Sequence, residues 1–191
     1  MIILDGKKTS NDIKAEIAEE VKQIKEAGNR PPHLAAVIVG SDGASLTYVG
    51  SKVKACKRVG YESTLIKLPE KTTENELLNQ VKQLNANDSI DGYIVQLPLP
   101  SHIDAQTILM SINPDKDVDG FHPTNFGKMS LNLPSFISAT PSGIIELLKR
   151  YKVQTEGKNT VVIGRSDIVG KPIGILMGLK TNPGNSTVTL A

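Results

Sequence analysis

The sequence TVVIGRSDIVGKP at residues 160–172 carries the strongest structural signal in the chain. A β-branched run ends at Gly164, and the Gly-Lys-Pro of residues 170–172 leads into an apolar stretch. This order predicts a strand, a turn and then a helix. Backbone N–H groups at the start of a helix favour phosphate, and Arg165 in the same turn adds a charged donor. The stretch therefore predicts a phosphate-binding turn.

The spacing within this turn differs from two common nucleotide-binding loops. A Walker loop follows the order G-x-x-x-x-G-K-[ST], whereas here five residues separate Gly164 from Gly170 and Pro172 follows the lysine. The turn also lacks the order G-x-G-x-x-G. An arginine near such a turn suits the 2′-phosphate of NADP, which is the role that we predict for Arg165.

The composition is that of an ordinary globular protein, with 39% hydrophobic and 22% charged residues among 191. That length suffices for one large domain, or for one domain and part of another. The net charge of +2 and the few aromatic residues argue against nucleic-acid binding. A single cysteine excludes a disulfide framework, and the sequence shows neither a long apolar run nor a signal peptide. We therefore expect a cytoplasmic protein without a membrane or nucleic-acid partner.

Ahead of residue 113 the sequence alternates between helix and strand signals. Continuous apolar runs predict strands at residues 34–39, 64–68 and 91–97. Apolar residues at helical spacing predict helices at residues 10–27, 46–56, 73–84 and 105–112. Thr73 and Glu76 form a capping-box pattern at the start of the third helix. This alternation predicts a three-layer α/β domain, with a mainly parallel sheet between helices.

The pattern changes at residues 113–138, which are rich in Pro, Asn, Asp and Gly and show little periodicity. We expect a long loop there, which at this length is either functional or disordered. Thr140 and Pro141 then form a cap and first-turn pair for a further helix. The elements expected after it are a strand at 160–163, a helix at 173–179 and a strand at 187–190. A domain boundary near residue 139 is therefore predicted, with domains at 1–139 and 140–191.

Tyr48 and Lys52 lie four residues apart on a predicted helix and so share a face. A lysine shielded from water can act as a base near neutral pH, and an adjacent tyrosine can orient it. Amphipathic helices also carry many such pairs without any function. The spacing matches the Tyr-x-x-x-Lys of short-chain dehydrogenases, but VGSDGAS at residues 39–45 fits their glycine-rich turn poorly.

Gln96 is a polar residue at the end of an otherwise apolar strand. Open α/β sheets bind ligands at the edge where their parallel strands end, which favours a functional role over a loop-capping role. The prolines of LPLP, at residues 97–100, indicate a rigid rim beside it.

The acids Asp115, Asp117 and Asp119 precede Gly120 and imitate the start of a calcium loop. The last position of that loop holds Phe126 instead of a bidentate glutamate, so calcium is not predicted. One carboxylate of the group can instead accept two N–H donors from a heterocycle, or the acids support the local turn.

The remaining candidates for metal or nucleophilic chemistry show no matching pattern. His33, His102 and His122 lack metal-ligand spacing and are interpreted as loop or strand-edge residues. Cys56 lies among the apolar positions of its helix and is predicted to be in the core. We therefore predict no metal site.

Five segments occur in this order in one known family. They are VGSDGASLTYVGSKVKAC (39–56), DGYIVQLPLP (91–100), PDKDVDGFHPTNFGK (114–128), TPSGIIELL (140–148) and GRSDIVGKP (164–172). With these segments the chain resembles the bifunctional methylenetetrahydrofolate dehydrogenase/cyclohydrolase family. The second, third and fifth segments are very specific. Members usually have a cysteine before the Thr-Pro of the fourth, where this chain has Ala139.

The resemblance implies a folate site made by five residues. Lys52 is similar to the catalytic lysine that acts on the one-carbon bridge of the folate. Tyr48 corresponds to a tyrosine that stacks on the substrate beside this lysine, and Gln96 to a glutamine that tunes it. Asp119 matches the carboxylate that grips the amino and ring N–H groups of the pterin, and Leu99 is assigned to the substrate pocket.

The resemblance also implies a Rossmann-like NAD(P)-binding domain after residue 139. Gly164, Arg165 and Ser166 are similar to its NADP turn, and Thr140 lies where the family lines the nicotinamide site. NADP is the implied cofactor, with NAD left open. Family members continue well past position 191, so we expect this domain to be incomplete.

The resemblance implies two reactions. The first oxidises 5,10-methylenetetrahydrofolate to 5,10-methenyltetrahydrofolate with NADP, and the second hydrolyses that product to 10-formyltetrahydrofolate. The implied partners are a reduced folate and a second copy of the chain in a homodimer. A non-catalytic or partly active folate-binding fragment is the alternative.

Overall fold

The computed structural model describes residues 3–40 and 43–191, and contacts divide the chain into two compact units. The N-terminal unit is Ser10–Asp117. The C-terminal unit joins the residues up to Thr9 to Val118–Ala191. Within the described residues, no helix combines the length and the apolar character needed to cross a bilayer. The boundary near residue 139 stays a prediction.

The N-terminal unit is built on a three-stranded parallel sheet. Its strands are β1 (His33–Val39), β2 (Glu62–Leu68) and β3 (Gly92–Val95), in the spatial order β2-β1-β3. The helices are α1 (Gly6–Glu26, which begins in the C-terminal unit), α2 (Gly43–Val59), α3 (Glu74–Ala86) and α4 (Ala105–Ser111). Helical connections are what parallel pairing requires, and the predicted parallel α/β sheet is confirmed.

The central strand β1 is buried on both faces, which explains its continuous apolar sequence. Ala35, Val37 and Val39 share a core cluster with apolar side chains of α3 and α4. The alternate residues Ala36 and Ile38 are 3% and 2% exposed. Because successive side chains of a strand point to opposite faces, the sheet is covered on both faces at its central strand, as a three-layer unit requires, whereas the edge strand β2 is largely exposed.

Helix α3 begins with the predicted capping box. The Thr73 hydroxyl accepts a hydrogen bond from the Glu76 N–H (3.3 Å), and the Glu76 carboxylate accepts one from the Thr73 N–H (2.8 Å). Two donors that a helix start would leave unpaired are thereby satisfied. The bond from the Thr73 backbone also lowers the pKa of Glu76.

The C-terminal unit contains a separate two-stranded parallel sheet. Strand β4 (Asn159–Val162) pairs with β5 (Thr187–Leu190) in parallel. Its helices are α5 (Pro123–Ser130), α6 (Ala139–Arg150) and α7 (Gly170–Gly178). Helix α7 connects the two strands and packs on their sheet. The predicted order of strand, turn, helix and strand is therefore confirmed.

The expected long loop at residues 113–138 is wrong in part, because it contains two short helices. One is a 3-10 turn at Pro114–Lys116, where Asn113 accepts from the Asp115 N–H. The other is α5, where the His122 side chain accepts from a backbone N–H in the first turn. Each helix starts with a proline that follows a residue whose side chain caps the helix. These signals favour a helix start, but the helices are too short to produce a periodic pattern.

The predicted cap of α6 is also wrong. Ser138 occupies the cap position and makes no side-chain capping bond, so Thr140 and Pro141 lie within the first turn. The Ser138 hydroxyl donates instead to Gly120 O, at 3.4 Å. The Ser138 side chain stands at the position of a helix cap, but it bonds to a residue that is distant in sequence.

We predict that an ion pair beside β3 makes the stability of the protein sensitive to acid. Arg30 donates two bonds to Asp91, at 2.7 and 2.8 Å, and these bonds hold the pKa of that carboxyl below its usual 3.8. The unfolded chain therefore binds this proton first, and the stabilisation present above pH 3.8 is lost as the pH falls through the folded-state pKa. Because the pair is partly exposed, we expect Asp91→Asn to lower the melting temperature by only about 2 °C at pH 7 and to have a smaller effect as the pH falls below 3.8.

Thermal unfolding between pH 2 and 7 checks this, with Asp88→Asn as the matched control on an exposed neighbour. An equal loss from Asp91→Asn at every pH would contradict the role of its charge.

Candidate functional site

Tyr48 and Lys52 are brought together on α2. The Lys52 Nζ lies 5.4 Å from the centroid of the Tyr48 ring, within the range of a cation–π contact. Tyr48 is 61% exposed, whereas Lys52 is half-buried. The pair therefore presents an accessible aromatic face beside an amine, which suits the stacking of a flat ligand and the transfer of a proton.

Gln96 directly follows β3, at the carboxyl edge of the sheet. Its backbone N–H donates to Val37 O (2.9 Å), which extends the pairing with β1. Its Nε2 donates to Leu97 O (2.7 Å), as a loop-capping glutamine would. The Oε1 atom is buried and, within the described part of the chain, accepts no hydrogen bond. Because an unpaired buried acceptor costs about 1–3 kcal/mol, this oxygen favours a ligand that brings a donor.

The loop after β3 forms a rim that is tied to the start of α3. The peptide bond between Leu97 and Pro98 is cis. Leu99 is half-buried and packs against the core cluster. Further along, the His102 ring bonds to Thr72 O at 2.9 Å. The rim is therefore anchored by apolar packing on one side and by a hydrogen bond on the other.

Asp119 is a half-buried residue of the C-terminal unit. The next residue is Gly120, where the surrounding backbone leaves no room for a side chain. Gly120 has φ 68°, in the left-handed region. A Cβ there would lie 2.6 Å from Ser138 N and 2.9 Å from Phe136 O. The backbone beside Asp119 is therefore held closely against a neighbouring segment, which limits where this carboxylate can point.

The predicted phosphate turn follows β4, at the carboxyl edge of the second sheet. The Gly164 N–H donates to Ala191 O (2.8 Å), just beyond the paired residues of β4 and β5. Gly164 has φ 125°, and Arg165 is exposed. This edge is where open α/β sheets bind ligands, and the Arg165 guanidinium is a suitable donor for a phosphate.

Ser166 organises this turn from within. Its Oγ accepts hydrogen bonds from the N–H groups of Val169 (3.2 Å) and Gly170 (3.3 Å), and its carbonyl accepts from Lys171 N–H (3.0 Å). The N–H groups of these three residues at the start of α7 are therefore bonded within the turn in this structure. The Arg165 side chain remains the candidate phosphate donor of the turn.

Gly170 allows the turn to close on the start of α7. A Cβ at this position would lie 2.1 Å from Gly164 O and 2.6 Å from Arg165 N. Sequence reasoning treated Gly170 only as part of a helix start, although its lack of a side chain lets two backbone segments touch. The sequence feature that could have indicated this close contact is the presence of a glycine at each end of the turn, Gly164 and Gly170.

The other predicted residues occupy ordinary structural positions. Thr140 is exposed in the first turn of α6. Cys56 is 5% exposed and burial raises its pKa, which confirms its place in the core. His33 begins β1 and His122 precedes α5, as expected for strand-edge and loop residues. Across the described residues, no cluster of three His, Cys, Asp or Glu side chains could hold a metal ion.

Two family models together match most of the chain. The model for the tetrahydrofolate dehydrogenase/cyclohydrolase catalytic domain matches residues 4–119. The model for the NAD(P)-binding domain of the same enzymes matches residues 138–191.

Full-length relatives and solved structures show the same similarity. The bifunctional protein FolD of Flavobacterium johnsoniae is 70% identical over 190 residues, which cover 100% of this chain and 64% of the relative. The bifunctional FolD methylenetetrahydrofolate dehydrogenase/cyclohydrolase from Campylobacter jejuni is 46% identical with a TM-score of 0.94, over 99% of this chain and 66% of that one. The Trypanosoma brucei N5,N10-methylenetetrahydrofolate dehydrogenase-cyclohydrolase, complexed with NADP cofactor and inhibitor, is 34% identical with a TM-score of 0.91, over 98% and 63%. This chain therefore spans somewhat less than two thirds of the length of these proteins.

Proposed function

The chain belongs to the tetrahydrofolate dehydrogenase/cyclohydrolase family, and from this premise we propose that the protein oxidises 5,10-methylenetetrahydrofolate with NADP and hydrolyses the 5,10-methenyl product. The observation that carries the proposal is the contact of Lys52 Nζ with the exposed Tyr48 ring. An accessible aromatic face beside an amine serves both the binding of a flat heterocycle and proton transfer at its one-carbon bridge.

We propose that Lys52 acts as the proton acceptor in the hydrolytic step. Water adds to the methenyl carbon and loses a proton to the Lys52 amine. The bond from this carbon to N5 then breaks while the hydroxyl group of the adduct loses its proton and becomes the formyl oxygen. Of the two protons that came from water, one passes to N5 and the other to solvent, which leaves 10-formyltetrahydrofolate. Tyr48 stacks on the substrate, and Gln96 is assigned to tune the lysine. The Gln96 Oε1 atom accepts no bond within the described residues and is therefore available to a donor when the substrate binds.

We propose that Asp119 recognises the pterin. A carboxylate has two acceptor oxygens, which match the amino and ring N–H donors of that heterocycle. The close packing of Gly120 supports this role, because it limits the directions that the neighbouring side chain can take. Leu99 contributes an apolar contact from the rim.

We propose that the turn after β4 binds NADP, with NAD left open. The exposed Arg165 guanidinium suits the 2′-phosphate, and the open space where a side chain of residue 164 would lie allows close approach of a ligand. Ser166 holds the turn in shape through the bonds described above, and Thr140 is assigned to the nicotinamide side. When bound, NADP supplies the hydride acceptor for the oxidation.

The family relationship also supports proposals on location, assembly and domain boundary. We propose that the protein is a cytoplasmic homodimer, and sedimentation of the purified protein tests its oligomeric state. We propose that the domain boundary lies near residue 139, between the ranges that the two family models match. A folate-binding fragment without catalysis remains the alternative, and binding of tetrahydrofolate without any binding of NADP would favour it.

Replacing Asp119 by Asn tests the substrate class. An amide loses the charge and one of the two acceptors, and charge-assisted bonds contribute about 1.5–3 kcal/mol each. We expect tetrahydrofolate, kept reduced and titrated by calorimetry, to bind at least about tenfold more weakly to the variant, with NADP affinity unchanged. The matched control is Asp115→Asn, an exposed acid of the same segment, which leaves both affinities unaltered.

The two possible failures of this test differ. No tetrahydrofolate binding by the unchanged protein contradicts the proposed substrate, whereas full affinity in Asp119→Asn contradicts only the role of Asp119.

A further inference from the structure

Residues 113–117 form the segment that leads to Asp119. The half-buried side-chain amide of Asn85 bonds this segment to the end of α3. Asn85 Oδ1 accepts hydrogen bonds from the Tyr93 hydroxyl (2.7 Å) and from the Asn113 N–H (2.9 Å). Asn85 Nδ2 donates to Ser111 O (2.8 Å). An asparagine supplies an acceptor and a donor at once, so this side chain joins β3, the end of α4 and the first residue of the segment.

The hydroxyl on the inner side of this network remains a donor at physiological pH. Tyr93 is 0% exposed, and burial raises the pKa of its phenol, with a further contribution from Asp117. A phenol in its neutral form donates its proton to Asn85 Oδ1. The orientation of the amide is therefore set by a buried partner. Its remaining bonds go to Ser111, at the end of α4, and to Asn113, the first residue of the segment.

Lys116 fixes the middle of the same segment. Its Nζ donates to Leu84 O (3.1 Å) and Asn87 O (2.8 Å), at the end of α3. Helix ends carry carbonyls without helical partners and attract cations, so this contact uses both charge and hydrogen bonding. One residue later, Asp117 is 2% exposed and forms a parallel bridge with Tyr93. Residues 113–117 are thus held at their start, middle and end.

We propose that Asn85 and Lys116 are positioning residues for substrate binding. They set the path of residues 113–117, and Asp119 follows only two residues later. A link of that length spans at most about 7 Å, so the position of Asp117 limits the positions that Asp119 can take. The inference rests on the proposed function, since Asp119 is the residue that meets the pterin. Asn85 and Lys116 act through this carboxylate and through its placement.

The first test is the affinity of the protein for tetrahydrofolate. Asn85→Leu keeps the size of the side chain and removes all three hydrogen bonds, and Lys116→Met removes the two bonds to α3. We expect each variant to bind tetrahydrofolate about tenfold more weakly in calorimetry, with NADP affinity unchanged. Asn79→Leu, at an exposed position of α3, is the matched control and leaves the affinity unaltered.

The second test separates positioning from a general loss of stability. If Asn85 acts through Asp119, adding Asn85→Leu to Asp119→Asn costs less than about twofold, because neighbouring changes in one network are not additive. If Asn85→Leu does not fold, as judged by circular dichroism, Lys116→Met is used for the same cycle. Equal losses in both backgrounds, or full affinity in the folded single variants, overturn the inference. Lack of tetrahydrofolate binding by the unchanged protein is a separate result, which overturns the proposed function on which the inference rests.

Discussion

Lys52→Met is expected to remove both proposed activities while the protein still binds tetrahydrofolate. Methionine keeps most of the length and apolar stem of lysine, but it has no amine that can accept a proton. General acid–base catalysis contributes about 10²–10⁴-fold to rates, and we expect a loss of this size in methenyl hydrolysis. We expect methylenetetrahydrofolate oxidation to fall as well, because the amine beside the Tyr48 ring no longer contacts the one-carbon bridge of the stacked substrate. Absorbance assays of NADPH formation and of methenyltetrahydrofolate loss measure the two steps.

Two further variants show whether the lysine acts as a base or as a charge. Lys52→Arg retains a positive charge, but a guanidinium does not lose its proton, so we expect no rescue of hydrolysis. Lys54→Met, at an exposed position of α2, is the matched control and retains full activity. Rescue by arginine would show that charge alone suffices, and full activity of Lys52→Met would refute the catalytic role.

Gly170→Ala is expected to have the largest effect on stability. The added methyl group would lie 2.1 Å from Gly164 O and 2.5 Å from Gly164 C, and backbone atoms cannot rotate away as the end of a side chain does. The turn must therefore move relative to α7. Overpacking typically costs about 1–3 kcal/mol, and we expect the upper end of this range because the obstacle is backbone. We also expect NADP affinity to fall by about tenfold or more, since Arg165 moves with the turn.

Gly174→Ala provides the matched comparison on the same helix. A methyl group there would meet Leu190 Cδ1 at 3.5 Å and Val188 Cγ1 at 3.9 Å, which are ordinary contacts with side chains. Alanine in a helix costs less backbone entropy than glycine, so this variant should be unchanged or more stable by up to about 1 kcal/mol. Thermal unfolding and NADP titration compare the two. Equal behaviour of the two variants would contradict the specific role of Gly170.

Much of the fold was predictable because its signals are local. The strands β1 and β5, the capping box at Thr73 and Glu76, and the strand-turn-helix at residues 160–178 all follow from periodicity or from residues a few positions apart. The two short helices in residues 113–130 were missed, since each has a single turn or two and depends on a cap. Periodicity needs several turns before it rises above chance.

The proposed site likewise combines residues that local sequence predicts with contacts that only the structure shows. Tyr48 and Lys52 were predictable as a pair because a helix repeats its faces every three to four residues. The bonds of Asn85 were not, because they connect α3 with β3, with the end of α4 and with residue 113. The local sequence of α3 does not distinguish Asn85 from Asn79, which lies exposed on the same helix.

By itself, the sequence determined the parallel α/β architecture, the family and the residues proposed to carry the chemistry, because hydrophobic periodicity and ordered motifs are properties of neighbouring residues. Only the tertiary structure decided that Ser166 closes the predicted phosphate turn from within, that Gly170 touches the backbone of Gly164, and that Asn85 and Lys116 hold the segment before Asp119. These contacts depend on how separate segments meet in space. Their physical basis is close approach and hydrogen-bond geometry, which the spacing of residue types does not encode.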